Sequence, residues 1–259
     1  MINLILSVYN LFIYQPLLNL LVLLYQYLPW QDLGGAVIAL TLIVRAALFP
    51  LNSQAFAAQK KLQDLQPKLL ELQKKLQGDK EKQVASTLAL YKEAGVSPFA
   101  GLVPLLIQLP LLIALYQLFF VFGGGNGLAA SQASFLYPFV SPPQDINPLF
   151  LGIVNLSANA TGALSFAGVQ LTDSAAASIV LALVAGVLQF VQTKQAALPP
   201  KSDKQQSPFL QAFQKQALYL FPLVTAFILS RLPAAVGLYW ATTTLFSIWQ
   251  QKRVLAKKP

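Results

Sequence analysis

Apolar runs of helical length alternate along the chain with short segments that hold most of the charge. About 20 apolar residues in a helix cross the hydrocarbon core of a bilayer, which is about 30 Å thick. On this pattern we predict five transmembrane helices, at residues 33–52, 98–122, 174–193, 217–232 and 233–251.

The composition agrees with this pattern. Hydrophobic residues make up 56% of the 259 residues and charged residues only 10%, whereas soluble domains have about 25% charged residues. The predicted fold class is therefore an all-α membrane protein.

Residues 1–32 form a further apolar segment without Lys or Arg. A secretory signal begins with a positive region, so a cleaved signal is disfavoured. Aromatic side chains recur along the segment, as they do in interfacial belts, at Tyr9, Tyr14, Tyr25, Tyr27 and Trp30. We predict a helix lying on the outer membrane surface. An additional spanning or signal-anchor helix is the alternative.

Residues 53–97 contain eight lysines and five acidic residues. The turn signal Gly78-Asp79 follows leucines that recur every three or four residues, at 62, 65, 69, 72 and 76. This pattern predicts a water-exposed helical hairpin, with Val84, Leu88 and Tyr91 on one face of its second helix. Its lysines form a solvated face or touch anionic lipid headgroups or a ribosome.

The basic residues also predict the orientation. The segments 53–97, 194–216 and 252–259 hold 16 of the 18 Lys and Arg residues, while 1–32 and the predicted loop 123–173 hold none. Basic residues concentrate on the cytoplasmic side of membrane proteins. We therefore expect the N-terminus outside and a basic tail in the cytoplasm. The net charge of +9 then reflects topology and not a specific nucleic-acid partner.

Several kinds of chemistry have no support in this chain. It has no His and no Cys, which excludes Ser-His and Cys-His catalysis and most zinc sites. The predicted spans hold no acidic relay of the kind that proton-coupled transporters use. We expect a protein that is not an enzyme and that needs no cofactor or metal.

Arg45 lies well inside the first predicted span. An arginine at the bilayer centre costs about 2.5 to 3.5 kcal/mol on insertion scales, so it needs an anion, water or a route to the interface. Other polar side chains align with it on helical faces, namely Thr41 and Asn52 on the same span, Gln189 with Gln192, and Tyr239 and Thr243 with Trp240 beside them. Turned inward, they would line a hydrated cavity. Alternatively, the polar side chains only join helices, Tyr239 and Trp240 only pack, and Arg45 reaches the cytoplasmic interface.

Several stretches resemble the YidC/Oxa1/Alb3 family of membrane protein insertases, from about residue 30 to 253. They are TLIVR at 41–45 with Pro50, LQPK at 65–68, LYKE at 90–93, VSP at 96–98, LVPLLIQLP at 102–110, ALY at 114–116, GLYW at 237–240 and QQ at 250–251. The lack of a large outer domain resembles the short, five-span bacterial form. The signal cysteine that would carry a lipid anchor is missing.

This resemblance implies five spans around a hydrophilic groove that opens to the cytoplasm and to lipid. Arg45 would be the groove arginine, with Thr41, Gln189 and Trp240 as polar neighbours and Tyr239 near the substrate path. The hairpin would capture substrate and contact the ribosome or targeting factors. The compact form implies the bacterial plasma membrane, and a Sec translocon is a further partner to consider. The 123–173 loop has little counterpart in the family.

The expected function is insertion and folding of newly made membrane proteins with short, often acidic tails, without nucleotide hydrolysis. A small-solute channel or transporter with an anion-attracting cavity is the alternative from another class. A scaffold for assembling membrane complexes is a third hypothesis.

Overall fold

The computed structural model describes residues 2–97, 103–122, 128, 130–157, 173–196 and 208–256. It is mostly helical. The helices are α1 (Ile2–Tyr9), α2 (Gln15–Tyr27), α3 (Leu33–Ala47), α4 (Phe49–Asp64), α5 (Gln66–Lys75), α6 (Lys80–Glu93), α7 (Val103–Phe122), α8 (Ala130–Ala133), α9 (Asp173–Ala196), α10 (Pro208–Arg231) and α11 (Ala234–Ala256), and the strands are β1 (Leu149–Phe150) and β2 (Val154–Asn155). Residues 197–207 of the predicted 194–216 loop, parts of the 123–173 loop and residues 257–259 of the predicted tail lie outside the described residues.

Proline at position 16 does not end the first helix. The segment Asn10–Tyr14 between α1 and α2 is a π-helical turn, in which the Gln15 N–H donates to the Asn10 carbonyl five residues back. Pro16 has no N–H and would crowd the carbonyl four residues before it, and the wider turn accommodates both effects. Asn3–Tyr27 is therefore one helix that is long and apolar enough to cross a membrane. This length fits the spanning alternative for residues 1–32.

The first predicted span is broken near its end. α3 and α4 meet at Leu48 with a bend of 64°. Pro50 stands in the first turn of α4, where its missing N–H leaves no helical bond unmade. The expectation that Asn52 shares one helical face with Thr41 and Arg45 is wrong, because the chain changes direction between Arg45 and Asn52. We call the α3–α4 junction the elbow.

Two helices within the described residues, Asn3–Tyr27 and Ala176–Gln195, are long and apolar enough to cross a membrane, and the broken pair α3–α4 makes a third if it is one span. Two shorter apolar helices, Gln108–Phe120 and Leu218–Arg231, accompany them. α10 itself begins at Pro208, inside the predicted 194–216 loop, and α11 continues to Ala256, inside the predicted tail. These helices agree with an all-α membrane protein.

Close contacts between helices show in which direction each helix runs relative to its neighbours. α11 approaches α9 at Gly237, which lies against Leu181, and again where Gln195 donates to the Ile248 carbonyl. α9 and α11 are therefore parallel. Arg45 contacts Thr243, and the Phe49 carbonyl just beyond α3 accepts from Gln250 further along α11, so α3 runs parallel to both. The N-termini of these three helices lie at one end of the bundle, and the elbow lies at the other.

A small β-hairpin covers the N-terminal end of this bundle. β1 and β2 pair antiparallel across a turn in which the Ile153 N–H donates to the Phe150 carbonyl. Leu151 and Gly152 both have positive φ, 53° and 71°, as a type I′ turn requires. This conformation suits glycine, but at Leu151 it costs about 1 to 2 kcal/mol.

Asp32 joins the β-hairpin to the start of α3. One carboxylate oxygen accepts the Gly35 N–H at 2.7 Å and so caps the helix, and the other accepts the Leu151 N–H at 2.7 Å. The Leu156 carbonyl accepts the Ala235 N–H in the first turn of α11. The β-hairpin thus links the first turns of α3 and α11.

The charged segment 53–97 comprises most of α4 together with α5 and α6. α4 ends at Asp64 and α5 begins at Gln66, just before Pro67, so the leucine series spans two helices. Asp79 caps α6 by accepting the Lys82 N–H at 3.0 Å, and this bond together with that from the Lys82 side chain lowers the pKa of Asp79. Val84 and Leu88 are exposed, so the predicted apolar face of α6 points largely away from α5.

Substitution of Gly34 tests how closely α3 packs against the β-hairpin. A Cβ at Gly34 would overlap the Phe150 ring, whereas a Cβ at Gly35 would meet only ordinary contacts at 3.7 Å or more. Overpacking of this kind costs about 1 to 3 kcal/mol. We expect Gly34→Ala to lower the thermal unfolding midpoint in detergent, while Gly35→Ala leaves it unchanged or raises it. Equal midpoints for the two variants would contradict the packing described here.

Candidate functional site

Arg45 lies in the last turn of α3, twelve residues from the start of the helix, or about 18 Å along its axis. Its Nη2 donates to the Gln108 Oε1 at 3.3 Å. Its Nε makes a long contact of 3.5 Å with the Thr243 Oγ1. The guanidinium therefore joins α3 to α7 and to α11, and we call these residues together with Tyr239 the arginine cluster.

Gln108 completes this cluster, although the sequence pattern indicated no role for it in the site. Its amide nitrogen donates to the Tyr239 hydroxyl, while its amide oxygen accepts from Arg45. The available signal was position, since Gln108 is a polar residue in an otherwise apolar run between Pro104 and Pro110. The pattern alone could not show which helix this amide would face.

The arginine cluster contains no counter-charge from the described part of the chain. The one ion pair among the described residues joins Lys82 to Asp79. Asp32 lies at the opposite end of α3, where both of its oxygens already accept backbone N–H groups. Arg45 thus rests on neutral amide and hydroxyl oxygens. Its bonds to described residues use two of the five guanidinium N–H groups, so the cluster is suited to attracting an anion.

Thr41 and Thr243 behave differently. Thr243 contacts Arg45 and is buried. Thr41 is also buried, but its hydroxyl donates to the Val37 carbonyl of its own helix at 2.6 Å. The structure therefore brings Thr243 and Tyr239 into the arginine cluster and places Thr41 on the same helix without a direct bond to Arg45.

Trp240 and Gln189 form a second polar contact. The indole Nε1 of Trp240 donates to the Gln189 Oε1 at 3.3 Å, which joins α11 to α9. Gln192 is partly buried, and its side chain makes no hydrogen bond to a described residue. Tyr239 and Trp240 are neighbours in sequence, yet they face different helices, so the predicted polar residues form two groups on either side of α11.

Asn52 lies with a third group, at the elbow. Gln250 of α11 donates to the Phe49 carbonyl at 2.7 Å and to the Ser53 Oγ at 2.9 Å. Asn52, Gln250 and Gln251 are buried, and each has one amide atom without a described partner. Buried amides usually find partners, so these three are sites where water can bind. Gln250 holds α11 against the elbow, and none of the three belongs to the arginine cluster.

A cavity of about 420 Å³ lies away from Arg45, in the angle between α4, α5 and α6. Its lining combines glutamine amides with apolar side chains, namely Gln59, Leu62, Gln63, Gln66, Leu69, Leu70, Gln73 and Tyr91. Tyr91 thus turns toward α4 and α5, unlike its predicted companions Val84 and Leu88. The cavity opens to solvent on the charged segment.

Comparison with known proteins gives a consistent result. The family model described as 60Kd inner membrane protein matches residues 23–258. The membrane protein insertase YidC of Wolinella succinogenes is 28% identical over 258 residues, which cover 96% of this chain and 40% of that protein. The proteins of the same name from Rhizobium johnstonii and Streptomyces avermitilis are 29% and 25% identical, over 95% and 87% of this chain.

This chain spans about 36% to 52% of the length of those three relatives. The match with the family model nevertheless covers nearly the whole chain, from α2 to the end of α11. It confirms the resemblance that the motifs indicated. The chain belongs to the 60Kd inner membrane protein (YidC/Oxa1) family.

Proposed function

We propose that this chain inserts newly made membrane proteins into the bilayer and assists their folding. The observation that carries this proposal is Arg45, a partly buried cation held by neutral oxygens with no carboxylate among the described residues within ion-pair distance. Such a site favours a transient anion over a resident one. Membership of a family whose relatives are named membrane protein insertases supports the assignment.

In this proposal five spans surround a hydrated groove that opens toward the cytoplasm at the elbow. The spans are the predicted segments at 33–52, 98–122, 174–193, 217–232 and 233–251. The N-terminus lies outside and the C-terminus in the cytoplasm of a bacterial plasma membrane. The parallel direction of α3, α9 and α11 supports this topology, because alternate spans of such a chain must run in the same direction.

The barrier to insertion is the passage of a polar, often acidic tail through hydrocarbon. Arg45 attracts a carboxylate 4 Å away by about 1 kcal/mol in water and up to about 4 kcal/mol at an effective dielectric constant of 20. A membrane potential that is positive outside adds about 2.3 kcal/mol per charge per 100 mV. Burial of the apolar substrate helix in lipid, at about 25 cal/mol per Å², then drives release into the bilayer.

No nucleotide hydrolysis or covalent chemistry enters this mechanism. The partners that it needs are a nascent membrane protein and the lipid bilayer. The lysine-rich helices α5 and α6 receive the substrate and meet a ribosome, targeting factors or a Sec translocon. Their amide-lined cavity, with apolar side chains and one tyrosine, supports a role in holding mixed polar and apolar chain segments.

The first test of the proposal concerns the charge of Arg45. We expect Arg45→Ala to slow insertion of a single-span substrate with an acidic tail by about tenfold, because an attraction of about 1 to 4 kcal/mol is lost. Arg45→Lys keeps the charge and should retain most of the rate. The measurement is protease protection of the tail in proteoliposomes.

A substrate with a neutral tail is the matched control for this experiment. Its insertion should change much less in Arg45→Ala than that of the acidic substrate. Equal rates for Arg45→Ala and the unaltered protein on the acidic tail would contradict the electrostatic role. Flux of small anions without protection of any tail would favour a channel instead.

Gln108 provides a test of positioning. Gln108→Leu removes the acceptor for Arg45 and the donor to Tyr239, so the guanidinium loses a defined position while its charge remains. We expect slower insertion of acidic tails with wild-type binding of the ribosome. Gln117→Leu, on the same helix, is the control, because Gln117 pairs only with the Tyr9 hydroxyl among the described residues. Equal insertion rates for the two variants would argue against a positioning role.

The charged helices can be removed separately. Replacing residues 66–93 by a short Gly-Ser linker excises α5 and α6 but keeps Lys60 of α4, which donates to the Leu255 carbonyl of α11 at 3.2 Å. We expect fewer crosslinks to a stalled nascent chain and an unchanged thermal unfolding midpoint of the remaining bundle. A collapse of that midpoint would instead make these helices structural.

A further inference from the structure

We propose that the tip of the β1–β2 hairpin, Leu151 and Ile153, inserts into the boundary between lipid headgroups and hydrocarbon and so fixes the depth of α3 in the bilayer. The partner is the lipid surface at the N-terminal end of α3, α9 and α11. This inference rests on the membrane placement in the proposed function but not on insertase activity.

The first observation is the exposure of two large apolar side chains side by side. Leu151 is 70% exposed and Ile153 is 75% exposed. Residues 146–157 contain no charged side chain. Turn tips in water usually carry Gly, Asn, Asp or Ser, so the side chains at this tip match a lipid environment.

The second observation is the backbone at Leu151. Its φ of 53° lies in a region that branched or bulky side chains rarely occupy, and a type I′ turn favours Asn or Gly there. The tip therefore carries a leucine where a polar residue would fit both the backbone and water better. Burial of the leucine side chain in lipid compensates for both disadvantages.

The third observation is the attachment of this tip to the helices. The Asp32 carboxylate accepts the Leu151 N–H at 2.7 Å and also caps α3. Phe150 packs on Gly34, and the Leu156 carbonyl accepts the Ala235 N–H. A force on the tip is therefore transmitted directly to the first turns of α3 and α11.

The attachment of the β-hairpin also sets the depth of Arg45 in the bilayer. Gly34 contacts the β-hairpin, and Arg45 lies eleven residues further along the same helix, or about 16 Å. The hydrocarbon core is about 30 Å thick, so its midplane lies about 15 Å below the boundary. A tip held at the boundary therefore places Arg45 near the middle of the membrane.

The tip also continues an apolar surface. α9 presents Val180, Leu183 and Val187 outward at helical spacing, and all three are exposed. β2 packs against this helix, which is one of the two described helices long and apolar enough to span a bilayer. The lipid that covers the outer face of α9 is thus next to the β-hairpin, which favours lipid over a soluble protein as the occupant.

Because the chain contains no cysteine, a single cysteine can be introduced and labelled at a chosen position. Ile153→Cys and Leu151→Cys are each labelled with an environment-sensitive fluorophore in the full-length protein and reconstituted into phosphatidylcholine–phosphatidylglycerol vesicles. Quenching is measured with lipids that carry a nitroxide near the headgroup or near the acyl-chain end, and with aqueous iodide. We expect the headgroup-proximal nitroxide to quench both probes about twofold more than the deep one, because side chains at the interface lie at the level of the headgroups.

Two matched positions complete the design. Gln144→Cys is exposed in the same loop and should be quenched by iodide and by neither lipid. Val187→Cys, on the outer face of α9, should be quenched by the deep nitroxide. Failure of the Val187→Cys probe would contradict the membrane placement itself.

Iodide quenching of the Leu151→Cys and Ile153→Cys probes as strong as that of Gln144→Cys, with Val187→Cys still quenched by deep lipid, would overturn the β-hairpin proposal alone. That pattern would leave a soluble protein as the partner of the tip. Stronger quenching of the tip by the deep nitroxide than by the shallow one would also overturn it, because the tip would then not mark the boundary.

Discussion

The structure depends on the placement of one positive charge among apolar helices. A charged side chain in a low-dielectric setting must find polar partners or water. Arg45 on α3 finds them on α7, through Gln108, and on α11, through Thr243. The Tyr239 hydroxyl then accepts a hydrogen bond from the Gln108 amide nitrogen. Three helices that are distant in sequence must therefore meet at one level, and this meeting point defines the candidate site.

Both ends of α3 are fixed around this charge. At the start of the helix, Asp32 caps the first turn and holds the β-hairpin through the Leu151 N–H. At the elbow, Pro50 allows the 64° bend, and Gln250 holds the new helix through the Phe49 carbonyl. Fixed ends leave the guanidinium little freedom to move along the bundle. An anion that approaches it therefore meets a defined site.

Membership of the 60Kd inner membrane protein family and the geometry of the arginine cluster support the same kind of function by independent routes. The family match rests on sequence, whereas the cluster rests on hydrogen bonds between helices. Neutral oxygens around Arg45 hold the cation without cancelling its charge. In the proposed mechanism a carboxylate binds there and leaves, and this reversible attraction is what would help an acidic tail to cross.

The sequence alone determined the helical class, the family, and Arg45 as the residue to examine, because apolar length, charge clustering and motifs are local properties of the chain. The tertiary structure decided what these residues contact. Only the fold could bring Gln108 to Arg45, since helical periodicity gives a face but not the helix opposite it. The bend at Leu48 moved Asn52 to the elbow, because a proline break changes the direction of every residue after it. The β-hairpin on α3 likewise depends on pairing and packing across more than 110 residues, a distance over which no sequence pattern acts.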